Sequence, residues 1–294
     1  MTPLERRYRR LMRAYPRSYR SAYGEELLDI LLGHTDPART TPPLKEAAGL
    51  LVNGVRERAW QAACGPAWTD GLHLGVTALS AAHLATLLPY APAVPGWLTL
   101  SALTLALVVL GRVRLALPLA SLTAVKMGAI GTGAVFLDAT LLPVEPGFLL
   151  DHSLYGYSGL LGAATGPVLN VAGLGILAWR GRPLRRRSLW WAPAALLVAG
   201  ADPAWMALTD GAPGPLLRVT AETAVLAGAV WAGRLTGDLR WALAAALYLA
   251  ATSAAFGEHL LYQSRQDLAY WGVLALFTLL AAVVPYGART RAID

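Results

Sequence analysis

Several polar or ionisable side chains lie inside long apolar stretches of the chain, where a charge is costly and usually serves function or assembly. They are Lys126, Asn170, Asp202, Arg218 and Glu222. Arg218 lies four residues before Glu222 and so shares one helix face with it. Asp202 lies in the preceding apolar stretch, so an Asp202–Arg218–Glu222 cluster would join two antiparallel neighbours.

Two interpretations of these residues stay open. The cluster has a formal charge of −1, which could hold a proton or a cation, and Pro203 beside Asp202 could free a helix carbonyl. The alternative is a neutralised pair that only fixes helix packing. Lys126 lies midway along another stretch, where Asn170 or Glu222 could partner its ammonium group. The five residues form a candidate intramembrane polar site.

The sequence lacks the common motifs of catalytic, nucleotide-binding and metal-binding sites. It contains no Gly-x-Ser-x-Gly motif, Walker loop or dinucleotide-binding glycine pattern. The single cysteine, Cys64, excludes an internal disulfide and a multi-cysteine metal cluster. The scattered histidines and acids lack the spacing of a zinc-binding helix. We therefore expect no enzyme activity, no catalytic residue, no cofactor and no metal, and nothing predicts a nucleic-acid partner.

The elements that carry these residues are predicted to be membrane helices. The 294 residues are 55% hydrophobic and 15% charged, whereas soluble domains carry about a quarter charged residues. A helix needs about 20 apolar residues to cross a bilayer, and an open strand there would leave its peptide groups unpaired. About eight segments have this length: 71–89, 95–111, 115–138, 154–179, 189–209, 215–233, 241–260 and 268–286. The third segment is long and is expected to tilt or break near Gly131 and Gly133.

The distribution of positive charge predicts the orientation. With the N-terminus inside the cell, 22 of the 25 positive residues lie on the inner side. Arg265 lies outside, and Lys126 and Arg218 lie within helices. Because inner loops carry the excess of Lys and Arg, we expect a multi-pass protein of the inner cell membrane with both termini cytoplasmic. The expected organisation is a basic cytoplasmic helical module at 1–65, a transmembrane bundle at 70–287 and a cytoplasmic tail at 288–294. The predicted fold class is an all-α membrane bundle with a small N-terminal cytoplasmic helical segment.

The first 65 residues show three amphipathic stripes. Leu4, Tyr8, Met12 and Tyr15 have helical spacing before Pro16, and similar stripes follow over 19–31 and 44–59. Such short helices need packing partners, which are either each other or the inner leaflet. A basic face of the first helix suits anionic lipid or a protein partner, at about 1 kcal/mol per basic residue near a charged surface. An ordinary solvated face is the alternative. The residues of this face are Arg6, Arg9, Arg10 and Arg13.

The run from Arg9 to Pro16, followed by Tyr19 and by Tyr23-Gly24-Glu25-Glu26-Leu27, resembles a short helical module of bacterial membrane proteins. That module precedes transmembrane domains, including those of orphan permeases, and is often associated with PadR-type transcriptional regulators. The resemblance implies a signalling or regulatory role. It does not extend to a permease function, because the chain has no room for the long extracytoplasmic domain of those transporters.

Two functions are compatible with these features. The first is a non-catalytic regulatory or interaction protein that couples the cytoplasmic module to the membrane bundle, with residues 1–65 docking a cytoplasmic protein. The alternative is a secondary transporter or permease component that moves a small solute or ion by means of the intramembrane charges. The expected partners are the lipid bilayer and a cytoplasmic protein.

Overall fold

The computed structural model describes residues 1–34, 39–63, 65–142, 160–199, 214–258, 260 and 265–290, and this part of the chain contains helices and no strand. The expected all-α class is confirmed. In chain order the helices are α1 (Pro3–Leu11), α2 (Arg17–His34), α3 (Leu44–Ala62), α4 (Ala67–Leu87), α5 (Pro95–Val109), α6 (Val113–Thr132), α7 (Val135–Thr140), α8 (Leu160–Arg180), α9 (Trp191–Ala199), α10 (Gly214–Thr236), α11 (Arg240–Glu258) and α12 (Arg265–Thr290). Short 3-10 helices follow α1 at Met12–Ala14 and α4 at Leu88–Tyr90.

The chain divides into two compact units. The N-terminal unit comprises Met1–Gly65 with Leu235–Gly237, and the helical bundle comprises Pro66–Arg234 with Asp238–Asp294. The last described helix, α12, continues to Thr290 and so runs into the stretch that was expected to be the tail.

The N-terminal unit begins with a helix whose start is specified locally. The Thr2 hydroxyl accepts a hydrogen bond from the Glu5 amide, and the Glu5 carboxylate accepts one from the Thr2 amide. This reciprocal pair, with Pro3 as the first helical residue, satisfies amide groups that the helix itself leaves free. The helix passes into a 3-10 turn that ends before Pro16.

The three helices of the N-terminal unit pack on one small core. Its buried residues are Leu4, Tyr8, Met12, Tyr15, Leu28 and Leu50. The predicted stripe of α1 therefore faces inward, against single residues of α2 and α3. The Tyr8 hydroxyl also donates a 2.5 Å hydrogen bond to Glu46 of α3. A polar contact thus fixes the pairing of α1 with α3, in addition to apolar burial.

Helix α4 lies at the centre of the bundle, because it packs against α5, α8, α9 and α11. Two glycines one turn apart permit the contact with α11. A Cβ atom at Gly71 would lie 2.8 Å from the Arg240 carbonyl oxygen, and one at Gly75 would lie 2.5 Å from a methyl group of Leu247. Small residues at this spacing let helix backbones approach closely. The Gly71-x-x-x-Gly75 pair was not singled out in the sequence.

The bundle buries several polar side chains beside an apolar core, and it also exposes many large apolar side chains. Its fully or nearly fully buried side chains include His73, Thr77, Ser80, Lys126, Asn170 and Arg240. Large apolar side chains lie on its surface, for example Leu115, Leu161, Val168, Leu276, Leu279 and Val283. Extensive exposed apolar surface marks a region that contacts a membrane or another protein.

Three helices among the described residues are long and apolar enough to cross a membrane: Val113–Thr132, Leu160–Arg180 and Leu268–Tyr286. About eight were expected from the length rule. Helix α5, at Pro95–Val109, is apolar but short. The segments expected at 154–179 and 189–209 lie partly outside the described residues. The segment expected at 115–138 is interrupted as anticipated, because α6 ends at Thr132 and Gly133 adopts a left-handed conformation with φ of 67°.

Candidate functional site

Glu222 of α10 is held by two tyrosines from the next two helices. The Tyr248 hydroxyl of α11 donates to Glu222 Oε1 at 2.5 Å, and the Tyr270 hydroxyl of α12 donates to Oε2. We call these three residues the Glu222 site. One carboxylate thereby joins three consecutive helices, and all three side chains are partly buried.

The Glu222 site lies beside a small apolar cluster that aligns its helices. Leu226, Ala245 and Leu274 are buried together, each about one turn from a member of the site. The ionised carboxylate has acceptor sites for both phenols, whereas a protonated carboxyl gives up part of that capacity to its own proton. The Glu222 carboxylate therefore connects α10, α11 and α12 through hydrogen bonds to both of its oxygens.

The structure describes the other two members of the predicted cluster only in part or not at all. Arg218 lies in α10, and its side chain is outside the described residues, as is the whole of Asp202. The hydrogen bonds described for Glu222 come from Tyr248 and Tyr270, and the contact between Glu222 and Arg218 stays a prediction. Sequence reasoning missed both tyrosines. A signal was present in two tyrosines inside predicted apolar helices, Tyr248 near the middle of one and Tyr270 near the start of the next, where a hydroxyl needs a partner.

Lys126 and Asn170 lie in the interior, on α6 and α8. The Lys126 side chain is fully buried, and Asn170 is 8% exposed. The Asn170 amide exchanges hydrogen bonds with the Ser80 hydroxyl of α4, with Asn170 Nδ2 at 3.2 Å and Oδ1 at 3.3 Å from Ser80 Oγ. The described partner of Asn170 is thus Ser80, which was not anticipated, whereas the contact of Asn170 with Lys126 stays a prediction.

Ser80 belongs to a column of buried polar residues along α4. The Thr77 hydroxyl donates to the His73 carbonyl at 2.7 Å, and His73 Nε2 lies 2.8 Å from the Val108 carbonyl of α5. Arg187 Nε donates to His73 Nδ1 at 3.3 Å. Because a guanidinium only donates, Nδ1 must be the acceptor and Nε2 must carry the proton. His73 is therefore neutral and bonded on both nitrogens.

Next to this column lies a partly buried network of two acids and two arginines, Asp70, Arg187, Asp238 and Arg240, which we call the ion network. Arg187 donates to the Asp70 side chain at 2.6 Å and also to the Asp70 carbonyl at 2.6 Å. Arg240 bonds Asp70 at 2.8 Å and Asp238 at 2.7 Å, with its side chain 0% exposed. The network joins the start of α4, the 181–190 loop and the start of α11.

The charges of the ion network cancel, which is the condition for burying them at tolerable cost. Burial is the largest influence on the pKa of Arg187 and lowers it, while Asp70 acts in the opposite direction. The sequence count treated Arg187 and Arg240 as free positive charges of inner loops. An available signal was the position of Asp70 and Asp238 at predicted helix ends beside those loops.

Glu258, at the end of α11, caps the start of α8. Its two carboxylate oxygens accept hydrogen bonds from the Leu161 amide at 3.3 Å and the Gly162 amide at 2.8 Å. A carboxylate is favourable at this position because the first amides of a helix lack intrahelical partners and carry a partial positive charge. This contact is structural, because it holds the N-terminal end of α8 against the C-terminal end of α11.

The basic face predicted on α1 is reduced by one residue. Arg9 forms ion pairs with Glu25 of α2 at 2.7 Å and with Glu5 at 3.1 Å. Glu25 first, and then Glu5, raises the pKa of Arg9, and Arg9 lowers the pKa of Glu25. Arg9 is therefore part of the fold of the N-terminal unit, whereas Arg6, Arg10 and Arg13 are exposed.

No family model, curated protein or solved structure matches the chain. Within the described residues, no group of three or more His, Cys, Asp or Glu side chains could hold a metal ion. The function must therefore be argued from the two units themselves.

Proposed function

We propose that this chain is a polytopic inner-membrane protein with a non-catalytic regulatory or interaction role, in which about eight transmembrane helices anchor the N-terminal unit on the cytoplasmic side. The observation that carries the membrane part is the polarity of the bundle. Charged and amide side chains are buried beside its apolar core, and many large apolar side chains are exposed on its helices. Lipid is the solvent that favours this arrangement.

The proposed topology has both termini in the cytoplasm, and it is supported by the 22 of 25 positive residues that then lie inside. A reporter tag after Asp294 in intact cells tests it. We expect the tag to be protected from external protease and to become accessible when the inner membrane is opened. A tag that is cleaved in intact spheroplasts contradicts the orientation, and a chain that stays soluble without detergent contradicts membrane insertion.

The proposed interaction role is supported by the separate core and internal ion pairs of the N-terminal unit. Its α1 leaves Arg6, Arg10 and Arg13 exposed on the side opposite the buried Leu4 and Tyr8. A positive surface of this kind favours an acidic patch on a cytoplasmic protein. The resemblance of residues 9–27 points to a PadR-type transcriptional regulator as the class of partner.

Site-specific photo-crosslinking of the full-length chain in cells tests this role. The crosslinking residue replaces Arg6 or Arg10, and replacement of the exposed Arg39 is the matched control. We expect one cytoplasmic protein to be captured from positions 6 and 10 and not from 39. Arg13→Glu in the same chain should lower the yield, whereas Arg39→Glu should not. Equal capture from all three positions, or none from 6 and 10, contradicts the proposal.

A second candidate function, transport of a proton or small cation, is favoured by the Glu222 site. Two phenols hold the carboxylate between three helices, and its protonation would alter their connection. Proton flux in proteoliposomes containing the full chain tests this candidate. We expect flux to fall in Glu222→Gln and to change in Lys126→Ala, with Arg112→Gln as an exposed control. Flux that is absent in the wild type, or unchanged in both variants, excludes this candidate.

A further inference from the structure

Helix α3 has one side that packs within the N-terminal unit. Leu50 belongs to the core, and Glu46 accepts the hydrogen bond of the Tyr8 hydroxyl. Further along the helix, Gln61 donates to the Ser18 hydroxyl at 2.8 Å. These residues define the side of α3 that is already covered by α1 and α2.

The other side of α3 is apolar and exposed. Leu44 is 89% exposed, Leu51 45%, Val52 60% and Val55 49%. Their spacing of seven, eight and eleven residues from Leu44 places them along one stripe of the helix. We call these four residues the apolar strip. An exposed strip of this composition, on a unit of only three helices, needs an occupant.

The charges around the strip favour an anionic lipid surface. Lys45 and Arg56 are exposed and lie eleven residues apart, about three helical turns, so both follow the same flank of the strip. The two acidic residues of α3, Glu46 and Glu57, are eleven residues apart and so lie along one side of the helix, the side on which Glu46 bonds Tyr8. Basic side chains beside an apolar stripe can extend their charged ends into the headgroup layer while the stripe enters the acyl boundary.

The connection to the bundle keeps α3 near a membrane. Helix α3 ends at Ala62, and α4 begins at Ala67. The residues between them span at most roughly 17 Å when fully extended. If α4 enters the bilayer, the C-terminal end of α3 must stay close to the surface, where the entropic cost of docking its strip is already small.

We propose that the apolar strip of α3 is a membrane-binding surface that lies in the headgroup region of an anionic leaflet, parallel to the membrane plane. The inference rests on the proposed membrane insertion of the bundle. It assigns the strip to lipid and leaves the arginine face of α1 for a protein partner. Binding through α3 would hold the N-terminal unit in a fixed orientation, with α1 presented for capture.

The test uses the full-length Cys64→Ser chain in nanodiscs of phosphatidylcholine with or without anionic phosphatidylglycerol. A spin label is attached at Leu51→Cys or Val55→Cys, and Asn53→Cys is the matched control because Asn53 is exposed on the opposite side. Collision with oxygen, which concentrates in lipid, is compared with collision with a water-soluble nickel chelate. We expect oxygen to dominate at 51 and 55, and nickel to dominate at 53.

The lipid dependence separates insertion from general exposure. In discs without phosphatidylglycerol, or in a Lys45→Gln, Arg56→Gln variant, the equilibrium constant for docking should fall by about five-fold for each basic residue whose contribution is lost. Nickel accessibility at 51 and 55 equal to that at 53 overturns the proposal, as does equal immersion in neutral and anionic discs. Exclusion of both reagents indicates a protein covering, and dipolar broadening indicates a second copy of this chain; either result also overturns it. A chain that fails to insert into discs refutes the proposed membrane insertion itself, and this inference with it.

Discussion

Replacing Arg240 by glutamine tests whether the ion network holds the bundle together. The Arg240 side chain is fully buried, and its guanidinium bonds Asp70 at 2.8 Å and Asp238 at 2.7 Å. Glutamine removes the positive charge, so Asp238 loses its guanidinium partner. Asp70 loses one of its two arginine partners and retains Arg187. Breaking a buried ion pair from one side costs about 3–5 kcal/mol. For a unit of about 150–250 residues this corresponds to an apparent melting temperature lower by about 6–20 °C.

The matched control is Arg112→Gln, which makes the same chemical change at an exposed arginine. Surface substitutions of this kind stay within about 0.5 kcal/mol, or at most about 2 °C. The assay is thermal aggregation of the full chain in detergent, followed by fluorescence-detected size-exclusion chromatography. A fixed heating rate is needed because unfolding of such proteins is commonly irreversible.

A double variant completes the experiment. In a network, Asp70→Asn and Arg240→Gln remove opposite charges from the same contact, so their combined cost should be smaller than the sum of the two. If Arg240→Gln melts within about 2 °C of Arg112→Gln, the buried network does not stabilise the bundle. Additive costs would show that Asp70 and Arg240 do not act on each other.

Three further outcomes follow from particular contacts. Gly71→Ala places a Cβ 2.8 Å from the Arg240 carbonyl oxygen and should lower the free energy of unfolding by about 1–3 kcal/mol. Its control, Gly228→Ala, places a Cβ with nothing within 4 Å and should leave the melting temperature equal or higher. Equal melting temperatures for the two variants would contradict close packing of α4 on α11. Because Arg9 lowers the pKa of Glu25 below its ordinary 4.5, the stabilisation from this pair is present above that pH and is lost as the pH falls through the lower folded value. The difference in hydrogen exchange between wild type and Glu25→Gln should therefore be seen at neutral pH and disappear in stronger acid, and a difference that grows in acid would reverse the sign. Glu258→Gln should speed exchange of the Leu161 and Gly162 amides before those in the middle of α8, and uniform exchange along α8 would show that Glu258 does not cap it.

The parts of the fold that depend on local spacing could be predicted from the sequence. The stripe of Leu4, Tyr8, Met12 and Tyr15 forms the inward face of the first helix because helical periodicity alone decides which residues share a side. The break near Gly133 followed from the conformational freedom of glycine at a helix end. Neither inference required knowledge of which helices become neighbours.

The contacts of the candidate site depend on which helix faces meet, and this could not be predicted. Glu222 bonds tyrosines 26 and 48 residues away, whereas the local rule reaches only residues such as Arg218, four residues away. Arg240 bonds an acid 170 residues away. A count of positive charges gives the same orientation whether an arginine faces water or a buried carboxylate. The sequence rule therefore counted Arg187 and Arg240 for the predicted sidedness and overlooked their place in the ion network.

Three described helices qualify as candidate spans by length and composition, against about eight expected, and this measure depends on how each helix is packed. Among the three, the least buried is also the most apolar: 17% of the Leu268–Tyr286 window is buried, against 24% for Leu160–Arg180 and 39% for Val113–Thr132. Apolarity thus measures exposure to the surroundings more directly than it measures passage through a membrane. Helix α4, at the centre, carries His73, Thr77 and Ser80 on surfaces that other helices cover and satisfy. A central helix can cross lipid with such polar side chains, because neighbouring helices cover them, form their hydrogen bonds and keep them out of contact with lipid.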